Sequence, residues 1–146
     1  MATRYPCRLE LAVQWGEMDA FGHVNNLTYF RWFESGRMDY LRQVGYLAHM
    51  EATGQGPILA HTECRFRAPL AWPDGVLVET GVEELDVDRF LMRYRVTALS
   101  SGVVAAEGSG RMVSFDYRSG GKCPLPTAVR EAILRIEGRE GGPSVP

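Results

Sequence analysis

The chain has 146 residues, 45% apolar and 23% charged, enough for one globular domain that buries roughly two-thirds of its unfolded surface. Sixteen Lys and Arg against eighteen Asp and Glu give a net charge of −2 without any basic block, which argues against a nucleic-acid partner. No run approaches the ~18 apolar residues of a membrane helix, and Cys7, Cys64 and Cys123 are too scattered for a disulfide framework or a zinc site; a cytoplasmic protein with no membrane partner, no metal and no cofactor is expected.

Residues 8–16 alternate, with Leu9, Leu11, Val13 and Trp15 on one face and Arg8, Glu10, Ala12 and Gln14 on the other, which predicts a half-buried first strand. The loop from Glu17 to Asn25 then gathers two carboxylates, a histidine, a glycine and an asparagine. From Asn26 onward, Phe30, Phe33, Arg37, Tyr40, Leu41 and Val44 recur at steps of three and four, the spacing of one helix face. The helix would be roughly 28 Å long at ~1.5 Å per residue, capped by Asn25 or Asn26 and ended by Gly45. Arg31, Glu34 and Arg37 suit a partly solvated flank, and Gly36 permits close approach of another backbone.

Residues 46–56 read as a short helical or irregular connector, a candidate lid. Ile58, Ala60, Thr62, Cys64 and Phe66 alternate with Leu59, His61, Glu63, Arg65 and Arg67 in a second strand, closed by a turn at Pro69, Pro73, Asp74 and Gly75. Two further strands carry Val76 to Val82 and Phe90 to Ala98. A last strand, about 103–117, contains Gly108 and Gly110, where a bulge or bend would let the sheet curl. Val129, Ile133, Leu134 and Ile136 predict a short C-terminal helix. A single domain over 1–137 is expected, with 138–146 as a disordered tail.

This order is an α+β plan in which an antiparallel sheet curls around the one long amphipathic helix. The loop that feeds this helix supplies carboxylates beside amides that have no partner inside the helix, a pairing able to hold an oxyanion; an ordinary polar turn with an Asn cap has the same composition.

The spacing Asp-x-x-Gly-His-Val-Asn-Asn-x-x-Tyr-x-x-Trp-x-Glu, here Asp19, Gly22, His23, Val24, Asn25, Asn26, Tyr29, Trp32 and Glu34, closely resembles the signature of the 4-hydroxybenzoyl-CoA thioesterase-like branch of the hot-dog superfamily. Pro57 to Thr80, with its Arg-x-Pro-Leu corner, extends the resemblance, which covers about residues 8–117. It implies the hot-dog fold: a five-stranded antiparallel sheet around one long central helix, paired into homodimers, with a dimer of dimers left open. It also implies an acyl-CoA thioesterase with Asp19 as nucleophile or general base and the Asn26 backbone N–H polarising the carbonyl. His23 would order the loop or shuttle a proton. Gly22, Asn25 and Tyr29 would shape the substrate site, and Arg65 and Arg67 are candidates for ligand phosphates or the dimer interface. Acyl-carrier-protein thioesters are the alternative substrate, and a non-catalytic acyl-CoA-binding module is the alternative function.

Overall fold

The computed structural model describes residues 5–139. Six strands, β1 (Cys7–Ala12), β2 (Gln55–Phe66), β3 (Gly75–Leu85), β4 (Arg89–Ala98), β5 (Val104–Asp116) and β6 (Gly121–Lys122), combine with three α-helices, α1 (Asn26–Gln43), α2 (Tyr46–Thr53) and α3 (Thr127–Ile136). The strands form one antiparallel sheet in the order β1-β3-β4-β5-β2, with the two-residue β6 added to β5. This is the hot-dog arrangement. The first and second strands in sequence stand at opposite edges, and the long helix crosses between them.

Register breaks at Leu59/His61, Val82/Glu84 and Val96/Thr97 bend the ladder and let it wrap α1. On β4 the alternation is clean: Phe90, Met92, Tyr94, Val96 and Ala98 are buried, while the residues between them are half-exposed. α1 lays Tyr29, Trp32, Phe33, Tyr40 and Leu41 onto that inner face. Phe33 stacks on Tyr94 with ring centroids 4.6 Å apart, and burying such a ring contributes about 1.5–3 kcal/mol. A side chain at Gly108 would run into the Phe33 ring, so this glycine makes room for the helix rather than for a bulge. At Gly36 a Cβ would meet Thr80 Oγ1 at 2.5 Å; the close neighbour is a β3 side chain, not the backbone that the sequence suggested.

Some boundaries differ from the periodicity. β1 stops at Ala12, where its partner β3 begins at Gly75, and Trp15 lies 70% exposed in a 3-10 turn, Trp15–Glu17. β2 begins at Gln55, so Gly56 is inside the strand. The expected lid is α2, pinned at its first residue: Tyr46 is fully buried and donates its hydroxyl to Ser114 Oγ at 2.6 Å. β6 carries no periodic signal, being two residues long.

The C-terminal end of α1 is closed by a polar lock. Glu137 Oε2 accepts from the Tyr40 hydroxyl at 2.7 Å and from the Val82 amide at 2.8 Å, and Arg139 donates to the Val82 carbonyl at 2.7 Å. Residues 140–146 of the expected tail lie outside the described residues. Among the described residues no helix is long and apolar enough to cross a membrane.

Candidate active site

The loop ahead of α1 is held by backbone pairing at both ends. Val24 N–H donates to the Leu70 carbonyl at 2.8 Å and Asn25 N–H to the Glu17 carbonyl at 2.9 Å. Glu17 is a fixed strut: Oε1 accepts from Gln14 N–H at 2.7 Å, and Oε2 pairs with Arg31 at 2.6 Å. Between these anchors, Asp19 N–H donates to the His23 carbonyl at 2.8 Å and Gly22 N–H to the Asp19 carbonyl at 3.1 Å, closing a tight turn. Gly22 takes φ +79°, a conformation glycine adopts without steric cost.

That turn aims the Asp19 carboxylate. Oδ1 accepts from the amides of Phe21 at 2.9 Å and His23 at 3.5 Å, which leaves Oδ2 available to a ligand. Asn25 is the N-cap, its Oδ1 accepting from Leu27 N–H at 2.9 Å. The Asn26 amide, first of α1, has no acceptor among the described residues and carries the positive end of the helix dipole.

Asp19 and Asn26 line one cleft of about 370 Å3, together with Phe21, His23, Tyr29, Phe66 and Arg67. Asp19 is half-buried; His23 and Asn26 are exposed at the mouth. Tyr29 is 2% exposed and meets Trp32 and Phe66 edge-on, each at 5.2 Å. Burial pushes its phenol up to about 12, with the Cys64 thiol adding a smaller push, so it stays a neutral hydroxyl. The arrangement offers a carboxylate oxygen and an unmet amide to one bound carbonyl, with an apolar wall of Tyr29 and Phe66 beside them.

Five of the eight residues singled out in the sequence therefore converge: Asp19, His23, Asn26, Tyr29 and Arg67. Gly22 and Asn25 shape the loop and the cap. Arg65 lies elsewhere, on a trough of about 700 Å3 across the outer face of the sheet that also contains Arg93, Glu83 and Glu107. Arg67 borders both spaces and is paired with Glu107 at 2.6 Å. Phe66 was not anticipated as a cleft wall; its only local signal is an aromatic ring just ahead of the Arg-x-Pro corner. The expected solvated flank also divides: Arg31 bonds Glu17 rather than Glu34, and Arg37 turns inward to 7% exposure.

Comparison with known proteins agrees with this fold. A family model described as the thioesterase-like superfamily matches residues 13–133. An Aquifex aeolicus (strain VF5) protein named as an esterase is 31% identical over 122 residues, covering 83% of this chain and 92% of that protein. A thioesterase from Thermus thermophilus, solved in complex with coenzyme A and zinc, superposes with a TM-score of 0.80 at 31% identity over 92% of this chain and 97% of that one. The long-chain acyl-CoA thioesterase of Escherichia coli (strain K12) is 20% identical over 127 residues, 87% of this chain and 96% of that protein.

Proposed function

The chain belongs to the thioesterase-like superfamily, and from that premise we propose that this thioester hydrolase cleaves acyl-coenzyme A at the Asp19–Asn26 cleft. The observation that carries the assignment is the joint lining of one cleft by a carboxylate and an unmet helix-tip amide.

A thioester carbonyl seated between them accepts the Asn26 N–H on its oxygen. Asp19 Oδ2 then either attacks the carbonyl carbon or takes a proton from the water that does. Negative charge gathers on the carbonyl oxygen and is stabilised by the amide, a donor of the kind worth about 3 kcal/mol of barrier. Collapse breaks the carbon–sulfur bond, and coenzyme A leaves as the thiolate. In the first route water then hydrolyses the mixed anhydride; both routes end in free acid and thiol. His23, at the cleft mouth, orders the Asp19 turn through its backbone and offers a ring nitrogen for proton exchange with solvent.

The pantetheine arm would leave past Arg67, and Arg65 on β2 and Arg67 just beyond its end are the candidates to meet the phosphates. A homodimer is part of the proposal. β2 is a twelve-residue edge strand with Ile58 38%, Leu59 37% and Phe66 42% exposed, an open ladder and apolar side chains that a second β2 would cover. Sedimentation at micromolar concentration is expected to give twice the chain mass.

The test is release of free coenzyme A over a panel of short, long and aromatic acyl-CoA thioesters. Turnover of at least one class well above the uncatalysed rate is expected; no release from any of them, with binding intact, would reject hydrolysis in favour of a binding module.

A further inference from the structure

Among the described residues, Tyr29, Tyr40, Tyr46 and Tyr94 are each no more than 2% exposed, and three of their hydroxyls are taken by the protein. Tyr40 donates to Glu137 at 2.7 Å, Tyr46 donates to Ser114 at 2.6 Å, and Tyr94 accepts from Arg37 at 3.1 Å. Tyr29 is the exception: its hydroxyl has no hydrogen-bond partner among the described residues. A buried phenol in that state is costly unless it reaches water or a ligand. Thr80 Oγ1 and His49 Nε2 are unpartnered and sealed from open space, and the Tyr29 hydroxyl is not among these sealed atoms. It therefore meets open space, and the space that Tyr29 borders is the Asp19–Asn26 cleft.

The helix sets where in the cleft the hydroxyl lies. Tyr29 comes three residues after Asn26, on the same face and about 4.5 Å along the axis. Long side chains on a helix lean back toward its N-terminus, so the phenol extends over the first turn, where the Asn26 amide is unmet. Trp32 from the next turn and Phe66 from β2 meet the ring edge-on, each at 5.2 Å, and fix it before substrate arrives. Nor is the hydroxyl spent on Asp19, whose carboxylate is held by the Phe21 and His23 amides.

Charge gathering on a carbonyl oxygen can be met by more than one donor, and the helix tip supplies a single free N–H. A neutral phenol suits the second place, where a phenolate would repel the oxyanion; burial keeps Tyr29 protonated. The other donors on the cleft are worse placed: His23 is exposed at the mouth, and Arg67 is paired with Glu107 at 2.6 Å.

We propose that the Tyr29 hydroxyl is a second oxyanion donor, beside the Asn26 N–H, in thioester hydrolysis. The proposal rests on the thioesterase reading and makes Tyr29 a catalytic residue rather than only a wall of the cleft. The phenol keeps its proton throughout. It donates a hydrogen bond that strengthens as the carbonyl oxygen gains charge, and no covalent bond forms or breaks at Tyr29.

The test is Tyr29→Phe, which keeps the ring and its two edge contacts and leaves no protein group without a partner, so the melting temperature should not move. With the most active thioester, kcat is expected to fall by about 10²-fold at little-changed KM, the lower end for loss of one oxyanion donor. A second readout separates this role from packing. It is the infrared carbonyl stretch of a bound, carbon-13-labelled acyl-CoA analogue with a methylene in place of the sulfur. The stretch should lie at lower frequency in wild type than in Tyr29→Phe, because the hydroxyl polarises the bond. An unchanged kcat, or a lowered kcat with the stretch unmoved, would overturn the proposal while leaving hydrolysis intact. Absence of thiol release by wild type from every thioester of the panel would overturn hydrolysis itself and this assignment with it.

Discussion

The two ends of α1 are built on opposite principles. At its C-terminal end Tyr40 is fully buried, its hydroxyl is taken by Glu137, and the same carboxylate closes the Val82 amide, so each polar group there has its partner inside the protein. At its N-terminal end the Asn26 amide has no acceptor among the described residues, and Asp19 spends one oxygen on its own loop and keeps the other for the cleft. The fold is secured at one end of the helix and left chemically open at the other. Stability and reactivity should therefore separate in mutants.

The strongest way to break that separation is Asp19→Asn. Thiol release is expected to fall by about 10²–10⁴-fold, the range for losing a positioned acid–base group or nucleophile. Melting temperature should hardly move, because the asparagine carbonyl can still accept from the Phe21 amide; a variant that hydrolyses at the wild-type rate would remove Asp19 from the chemistry. Glu137→Ala is the converse. It strands the Tyr40 hydroxyl and the Val82 amide in the interior, at a cost of about 2–4 kcal/mol by urea unfolding, with kcat retained in the fraction that folds.

Gly36→Ala probes the middle of the helix. Alanine gains up to about 1 kcal/mol of helix propensity, but its methyl meets Thr80 Oγ1 at 2.5 Å and Val78 Cγ1 at 3.0 Å. A net loss of about 1–2 kcal/mol is expected from overpacking, and a stabilised protein would mean that β3 yields at this point. Asn25→Ala should cost about 1 kcal/mol as a lost cap and also lower activity by a few-fold, since fraying the first turn misplaces the Asn26 amide. This is the one substitution predicted to couple the two properties.

The smallest effect concerns Asp74, whose carboxyl is held below the usual carboxylate range, first by the Ser100 hydroxyl and then by the Gly75 and Ser100 amides. A depressed folded value gives stability that is present above about pH 4, the unfolded value, and is lost as pH falls through the lower folded one. Ser100→Ala should lower the melting temperature slightly at neutral pH and less in acid.

Legibility in the sequence followed the range of the interactions. α1 was readable because its periodicity and Asn25 cap are local, and the loop because Asp19, His23 and Asn26 fall within eight residues. Where β1 ends was not, since Ala12 is its last residue because β3 begins at Gly75, and no pattern within 8–16 records that. Phe66 joins the cleft from forty residues beyond Asn26, and Glu137 reaches Tyr40 across 97 residues. Arg37 carried two readings, the inward face by its spacing with Phe33 and Tyr40 and a partly solvated flank by its i, i+3 relation to Glu34, and the curled sheet that covers it settles on the first.

The most direct test follows backbone amides by NMR as a non-hydrolysable acyl-CoA analogue is added. The Asn26 N–H should show the largest shift, with Phe21 and His23, whose amides hold Asp19, moving next. Shifts confined to the outer face around Arg93 and Glu83, with the first turn of α1 unmoved, would contradict it.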